Sequence, residues 1–177
     1  REAFSPGLAL EGECACLVCG PEGVGWTHGS RSNPFQAALL SVWVDVWQGW
    51  QEAACPGTIF ASNDPYCGGS SLCDLRMLTP IFYGGRRVGL LACAGHYADL
   101  GGRTAGGVSP GATDVHQEGL RMRPTVIARG WAMERGLADL VAGNSRFPEA
   151  LLGDLHAQVG GLRAGAGRME ALFERYG

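Results

Sequence analysis

Two apolar runs and two polar, glycine-bracketed segments alternate through the middle of the chain. Residues 75–83 and 87–93 are apolar and β-prone, with Gly84-Gly85 between them, so they read as a hairpin. The first polar segment, 63–74, runs Asn-Asp-Pro-Tyr-Cys-Gly-Gly-Ser-Ser-Leu-Cys-Asp, and the second, 94–102, runs Ala-Gly-His-Tyr-Ala-Asp-Leu-Gly-Gly. A hairpin sets the start of its first strand beside the end of its second. Asp74 is therefore expected near His96 and Asp99.

Elsewhere the spacing is helical or broken. Asn33-Pro34 opens a helix, with Asn33 as N-cap and Pro34 at the first helical position. Over 35–52, Phe35, Ala38, Leu39, Val42, Val46 and Trp50 recur at three- and four-residue steps and predict one apolar face. Leu40, Val44 and Trp47 widen it, which predicts burial on more than one side. Residues 7–20 read as one or two short strands around Glu11-Gly12-Glu13, and 20–33 as a glycine- and serine-rich loop. Cys55-Pro56-Gly57 ends the helix and a β-rich run follows over 58–62. After the hairpin come a glycine-rich loop over 101–111, an extended stretch over 121–126 and a helix over 132–141 capped by Gly143-Asn144. Helices over 148–160 and 168–176 finish the chain, broken by Gly160, Gly161, Gly165 and Gly167. This order predicts an α+β fold: a mixed sheet with a central hairpin, one buried early helix and C-terminal helices.

Composition narrows the class. The 177 residues suffice for one domain with a real core, or for a segment of a longer protein. A formal net charge of -3 supplies no basic field, so no nucleic-acid partner is expected. No apolar run nears the ~18 residues of a membrane helix, so no membrane partner is expected either. No export signal is visible and the cysteine count, seven, is odd, which predicts a cytoplasmic protein with free thiols. Cys14-x-Cys16-x-x-Cys19 reads either as three metal ligands or as small buried residues of a strand; the apolar Ala15, Leu17 and Val18 favour the strand.

Chemistry concentrates at the polar segments. Two carboxylates and an imidazole at one end of a hairpin make a metal or acid–base arrangement, or a loop held by Asx-turns. Gly68-Gly69 and Gly101-Gly102 lack the Gly-Lys-Ser/Thr of a phosphate loop, and turn geometry explains them better. Arg121 and Arg146 read as structural, with Asp154 a candidate partner. Cys67 and Cys73 have no histidine that sequence places as a base, which argues against a nucleophilic role.

Four blocks together carry a resemblance. They are Pro56-Gly57 with Asn63-Asp64-Pro65-Tyr66-x-Gly68-Gly69; His96-x-x-Asp99-x-Gly101-Gly102; Ala112-Thr113 with Gln117-Glu118-Gly119-Leu120-Arg121; and Asn144-x-Arg146-x-Pro148 with Gly153-Asp154-Leu155-x-Ala157-Gln158. In order and spacing the chain resembles the hydantoinase B family, shared by ATP-dependent N-methylhydantoinases, 5-oxoprolinases and the acetone and acetophenone carboxylases. The family protein is longer, so the resemblance makes residues 1–177 its N-terminal portion, with the remaining C-terminal part of the B component a further partner. It implies a divalent metal (Mn, Zn or Fe) on this chain. ATP and Mg are implied on a hydantoinase A-like partner subunit of sugar-kinase-like fold, which phosphorylates a small-molecule substrate.

The family's metal ligands resemble a His and an Asp in the first segment and a His in the second. Here those positions are Ser71, Asp74 and His96, with Asp99 and Asp64 as further oxygen donors or anchors. The alternative is that Asp64 and Asp99 cap loops and His96 is an ordinary hydrogen-bonded residue. Glu118 and His116 are implied as acid–base groups; a solvated loop is the other reading. Ser71 is one departure, and a hydroxyl binds a transition metal less well than imidazole does. Tyr97 stands for a second His, Thr27-His28-Gly29-Ser30 for His-Leu-Gly-Ser, and Ala3 for an Asp. The implied function is the metal-bearing subunit of an ATP-dependent cyclic amide hydrolase or ketone carboxylase. The alternative is a non-catalytic subunit with a degenerate metal site.

Overall fold

The computed structural model describes residues 3–30, 32–47 and 54–177. In chain order its elements are β1 (Cys14–Cys19), β2 (Gly25–His28), α1 (Pro34–Trp47), β3 (Ile59–Ser62), β4 (Asp74–Tyr83), β5 (Arg86–His96), β6 (Thr125–Arg129), β7 (Ala132–Met133), α2 (Arg135–Ala142) and α3 (Pro148–Tyr176). The described strands form one seven-stranded sheet in the order β2-β1-β5-β4-β3-β6-β7. The α+β class is as expected, but every pairing is antiparallel, so the sheet is not mixed.

The hairpin of β4 and β5 is the middle of that sheet, and its residues are buried on both faces. Alternation explains how. Leu78, Leu90, Ala92 and Ala94 pack with Leu40, Trp43, Val44 and Trp47 of α1. Leu75, Met77, Ile81, Leu91 and Cys93 point the other way, against Leu151, Leu155, Val159 and Leu162 of α3. A sheet covered on both faces needs apolar residues at successive positions, hence the continuous run in the sequence. Pro80 sits in β4 beyond the last residue paired with β3, so its missing N–H breaks no bond on that side.

Four local expectations are corrected. Asn33 does cap α1, its Oδ1 accepting from the amides of Phe35 (3.0 Å) and Gln36 (3.4 Å). The helix, however, turns its other side inward. Gln36, Leu40, Trp43, Val44 and Trp47 are buried, while Phe35 is 64% exposed and Val42 46%. Two apolar stripes overlap on this helix, and the one carrying the two indoles buries more area against the sheet. Trp50 and the end of the expected helix lie outside the described residues.

Of the one or two strands expected over 7–20 there is one, β1, because Gly7–Glu11 coils into a π-helical turn; the stretch over 20–33, expected as a loop throughout, contains β2. Ala132 and Met133 pair with β6 before α2 begins at Arg135. The C-terminal helices are one 29-residue helix. Each internal glycine costs about 1 kcal/mol of helix propensity, but each buried Leu or Val of α3 returns about 1.5–3 kcal/mol. Leu151, Leu155, Val159, Leu162 and Ala166 keep one face continuous through the glycines. Gly165 is also where α3 meets the sheet, since a Cβ there would stand 2.5 Å from Leu91 Cδ2. No helix of the described residues is long and apolar enough to cross a membrane.

Candidate active site

Asp74 is the first residue of β4 and His96 the last of β5, and they are register partners. Both face α1, because they share parity with Leu78 and with Ala94 along their strands. His96 Nδ1 lies 2.7 Å from Asp74 Oδ1. An ionised carboxylate only accepts, so Nδ1 carries the proton and Nε2 is left as the reactive nitrogen. Asp74 also accepts from Gln36 Nε2 at 3.0 Å, from Ser71 Oγ at 3.0 Å and from Ser70 Oγ. Burial alone would raise the Asp74 carboxyl, but His96 first, then Ser70 and Ser71, outweigh it and hold the group below its ordinary value. The same hydrogen bond to Asp74 raises the His96 imidazole, against burial, with Asp74 and Glu13 adding their charge. His96 keeps 30% of its side-chain surface open and Asp74 10%.

The other acids do not join this pair. Asp64 is sealed from solvent and takes Arg121 Nη2 at 2.8 Å, the Tyr66 amide at 3.0 Å and the Cys67 thiol at 3.6 Å. Burial would raise Asp64, and Arg121 with the Tyr66 amide brings it below its ordinary value. Asp99, equally sealed, accepts from Gly101 N at 3.1 Å, Arg146 N at 2.5 Å and Arg146 Nη1 at 2.7 Å. Arg121 and Arg146 are thus structural, as expected, but their partners are Asp64 and Asp99. Asp154 instead accepts the amides of Phe4 (2.6 Å) and Ser5 (3.1 Å). His116 lies within a 3-10 turn, Val115–Gln117, where it is exposed, and Glu118 follows as the C-cap. Among the described residues no hydrogen bond or ion pair ties either side chain to Asp74 or His96.

Two loops, 63–73 and 97–124, close over this end of the sheet, and a buried amide stitches them. Asn63 Nδ2 donates to the carbonyls of Leu72 and Leu120, both at 2.7 Å, and its Oδ1 accepts the Met122 amide at 2.6 Å. Gly68, at φ +76°, lays the first loop on α1, where a Cβ would stand 2.9 Å from Trp43 N. Beneath that loop lies Arg76, 1% exposed, its Nη2 donating to the Asp64 carbonyl at 3.0 Å. Its Nε and Nη1 have no protein partner. Burial lowers Arg76 to about 10 although Asp74 and Asp64 pull the other way, so a cation already stands beside both acids. Sequence reasoning missed Arg76 and Gln36. The signal was present for the first, a lone arginine in an apolar strand two residues from Asp74 and so on its face.

Residues 1–177 match the protein family described as Hydantoinase B/oxoprolinase. The chain belongs to that family. It is 34% identical over 121 residues to the caprolactamase subunit beta of Pseudomonas jessenii, covering 68% of this chain and 21% of that subunit. The structure of the ATP-dependent caprolactamase from P. jessenii superposes with a TM-score of 0.85 at 27% identity, over 93% of this chain and 28% of that one. A nucleotide-free acetone carboxylase structure gives a TM-score of 0.89 at 18% identity, over 99% of this chain and 23% of that one, and shows the fold alone. This hydantoinase B-type chain therefore spans only 21–28% of the lengths of these relatives.

The family resemblance implies a divalent metal, and the hydantoinase B-type end of the sheet was the place for it. Among the described residues no three His, Cys, Asp or Glu side chains are placed to hold one ion. Both oxygens of Asp74 are engaged, Ser71 offers only a hydroxyl, and Arg76 adds positive charge where a cation would sit. As placed, these residues do not make a metal centre by themselves.

Proposed function

We propose that the chain is the N-terminal part of the B component of an ATP-dependent complex that opens a cyclic amide or carboxylates a ketone, and that Asp74–His96 is its reacting pair. Family membership over residues 1–177 supports the assembly. Similarity to a caprolactamase subunit favours the amide, since a lactam is a cyclic amide. In this reading a hydantoinase A-like partner binds ATP with Mg and phosphorylates the small-molecule substrate, and the rest of the B component completes the site.

The observation that carries the reading is the 2.7 Å contact between Nδ1 of His96 and Asp74, which fixes the ring and leaves Nε2 free to exchange a proton. A raised imidazole keeps the protonated form populated near neutral pH. That suits donation to the nitrogen that leaves when an amide C–N bond breaks. Glu118 and His116 stay as outer acid–base candidates on an adjoining turn. The test is substrate-dependent ATP hydrolysis by the chain assembled with an A-type partner. His96→Gln should lower kcat by about 10²–10⁴, the usual contribution of positioned acid–base catalysis. Unchanged kcat in an intact complex would remove the pair from the chemistry.

A second reading, a non-catalytic subunit with a lapsed metal site, is favoured by one observation: the Asp74 carboxylate is saturated by protein donors. Here metal content decides. Stoichiometric Mn, Zn or Fe in the purified protein would sink this reading. Ser71→His should raise metal affinity if only the missing imidazole separates the site from a working one.

A further inference from the structure

The groove between α3 and the β1–β5 pair holds three thiols. Cys14, Cys16 and Cys93 line it together, facing Ala157 and Gly161 of α3 across a space of about 630 Å³. Small residues on the helix leave room above the strands, where Cys16 is exposed, Cys14 partly so, and Cys93 buried. Cys16 and Cys93 are register partners on adjacent antiparallel strands. The backbone of Cys16 is turned away from β5: its N–H meets Ser32 Oγ at 3.1 Å and its carbonyl takes the Gly29 amide at 3.0 Å. Three pairs along, Glu13 O receives the His96 amide at 3.0 Å, so the bonded pairs to β5 fall at odd positions of β1. Cys16–Cys93 is therefore a non-hydrogen-bonded pair. In such pairs the Cα atoms approach to about 4.5 Å and the side chains lean together on one face, within the about 4.4–6.8 Å that a disulfide spans.

We propose that Cys16 and Cys93 form a cross-strand dithiol that takes a disulfide oxidant, closing a bond that ties β1 to β5 on the sheet face opposite His96. Cys16, the exposed member, attacks one sulfur of oxidised glutathione and releases one glutathione thiol. Cys93 then attacks the Cys16 sulfur and releases the second. Two protein thiols and one disulfide become one protein disulfide and two glutathione thiols. The two electrons and both protons pass to glutathione. Burial pushes the Cys16 thiol up and the Cys93 thiol far up, so the exchange is slow and set by geometry more than by thiolate. Cys14 lies diagonal to Cys93 and is not needed for the bond.

The experiment equilibrates the purified chain with oxidised and reduced glutathione, quenches with a thiol-blocking reagent and maps the peptides by mass spectrometry. A Cys16–Cys93 cross-link should form in the wild type and in Cys14→Ser, and fall to background in Cys16→Ser, an exposed position that leaves the fold unloaded. The wild-type map alone is decisive if Cys93 variants fail to fold. Glutathione adducts on Cys16 without the cross-link, or a cross-link joining Cys14 to either partner instead, would overturn the proposal.

Discussion

Replacing His96 with Gln tests the geometry of the candidate site without any partner. The substitution keeps a polar side chain of similar reach and removes the titratable donor. Its cost follows from two links. The folded imidazole is raised above its ordinary 6.5 by Asp74, so its contribution to stability is fully present below about pH 6.5. That contribution is lost as pH rises through the raised folded value. Asp74 runs the other way: it is lowered, so its share is present above its unfolded value and lost as pH falls through the folded one. The pair is strongest in the window between, with both groups charged.

A hydrogen bond to a charged group is worth about 1.5–3 kcal/mol, and with His96 30% open to water about 1–2 kcal/mol is the expected loss there. For a chain of this size that is about 2–8 °C in Tm. Thermal melts followed by circular dichroism from pH 4.5 to 8.5 on both proteins give the difference directly, since titration of every other group largely cancels. The gap should be widest near pH 5–6 and narrow above about 6.5 without vanishing, because neutral imidazole still donates to Asp74. A gap that stays flat, or widens with pH, would refute the assignment of Nδ1–H to Asp74.

Other outcomes follow from the same packing and hydrogen bonds. Asn63→Ala leaves two carbonyls and one amide buried without partners and should cost about 2–4 kcal/mol in urea unfolding, with faster proteolysis of the loops at 63–73 and 112–122. Arg146→Ala strands the sealed Asp99 carboxylate and should cost about 2–3 kcal/mol, less than a fully buried pair because Arg146 is itself half-open; Asp99→Asn in the same chain should recover part of it. Gly160→Ala, Gly161→Ala and Gly167→Ala meet open space and should each stabilise by about 0.5–1 kcal/mol, while Gly165→Ala meets Leu91 and should not.

What the sequence showed and hid divides by physical cause. The hairpin was legible because two β-prone runs around Gly84-Gly85 leave few alternatives, and the nearness of Asp74 to His96 followed because the open ends of a hairpin meet; the exact pairing did not, since a bulge between Ile81 and Phe82 shifts the register. The single long α3 was not legible, because propensity at Gly160 and Gly161 is local while the burial of Leu162 and Ala166 against the sheet is not. The wrong face of α1 has the same origin: periodicity finds apolar stripes but cannot choose between two when the sheet is unseen. At the site, spacing and the family resemblance together put three acids (Asp64, Asp74 and Asp99) and one imidazole (His96) in one neighbourhood. Neither could reveal that Arg121 and Arg146 each claim an acid, since those pairs span 57 and 47 residues.

That division of charge is the main physical fact about the candidate site. In a metal centre, carboxylates converge with their repulsion unrelieved until the ion arrives, and binding is then coupled to folding. Here each acid has its own counter-charge: Asp74 has His96, Asp64 has Arg121, and Asp99 has Arg146. Arg76 lies under the first two with donors to spare. Such an arrangement holds its loops in place with no ion, so chelation should leave the melting temperature unchanged. It also sets a double requirement on any return to metal binding. Ser71→His restores a nitrogen donor but leaves the guanidinium of Arg76 in place, and the cation would still meet positive charge. Combining it with Arg76→Met should therefore bind Zn or Mn at least tenfold tighter than Ser71→His alone by titration calorimetry, a factor that requires only about 1.4 kcal/mol of relieved repulsion. Equal affinities would mean that Arg76 does not govern the charge of the site.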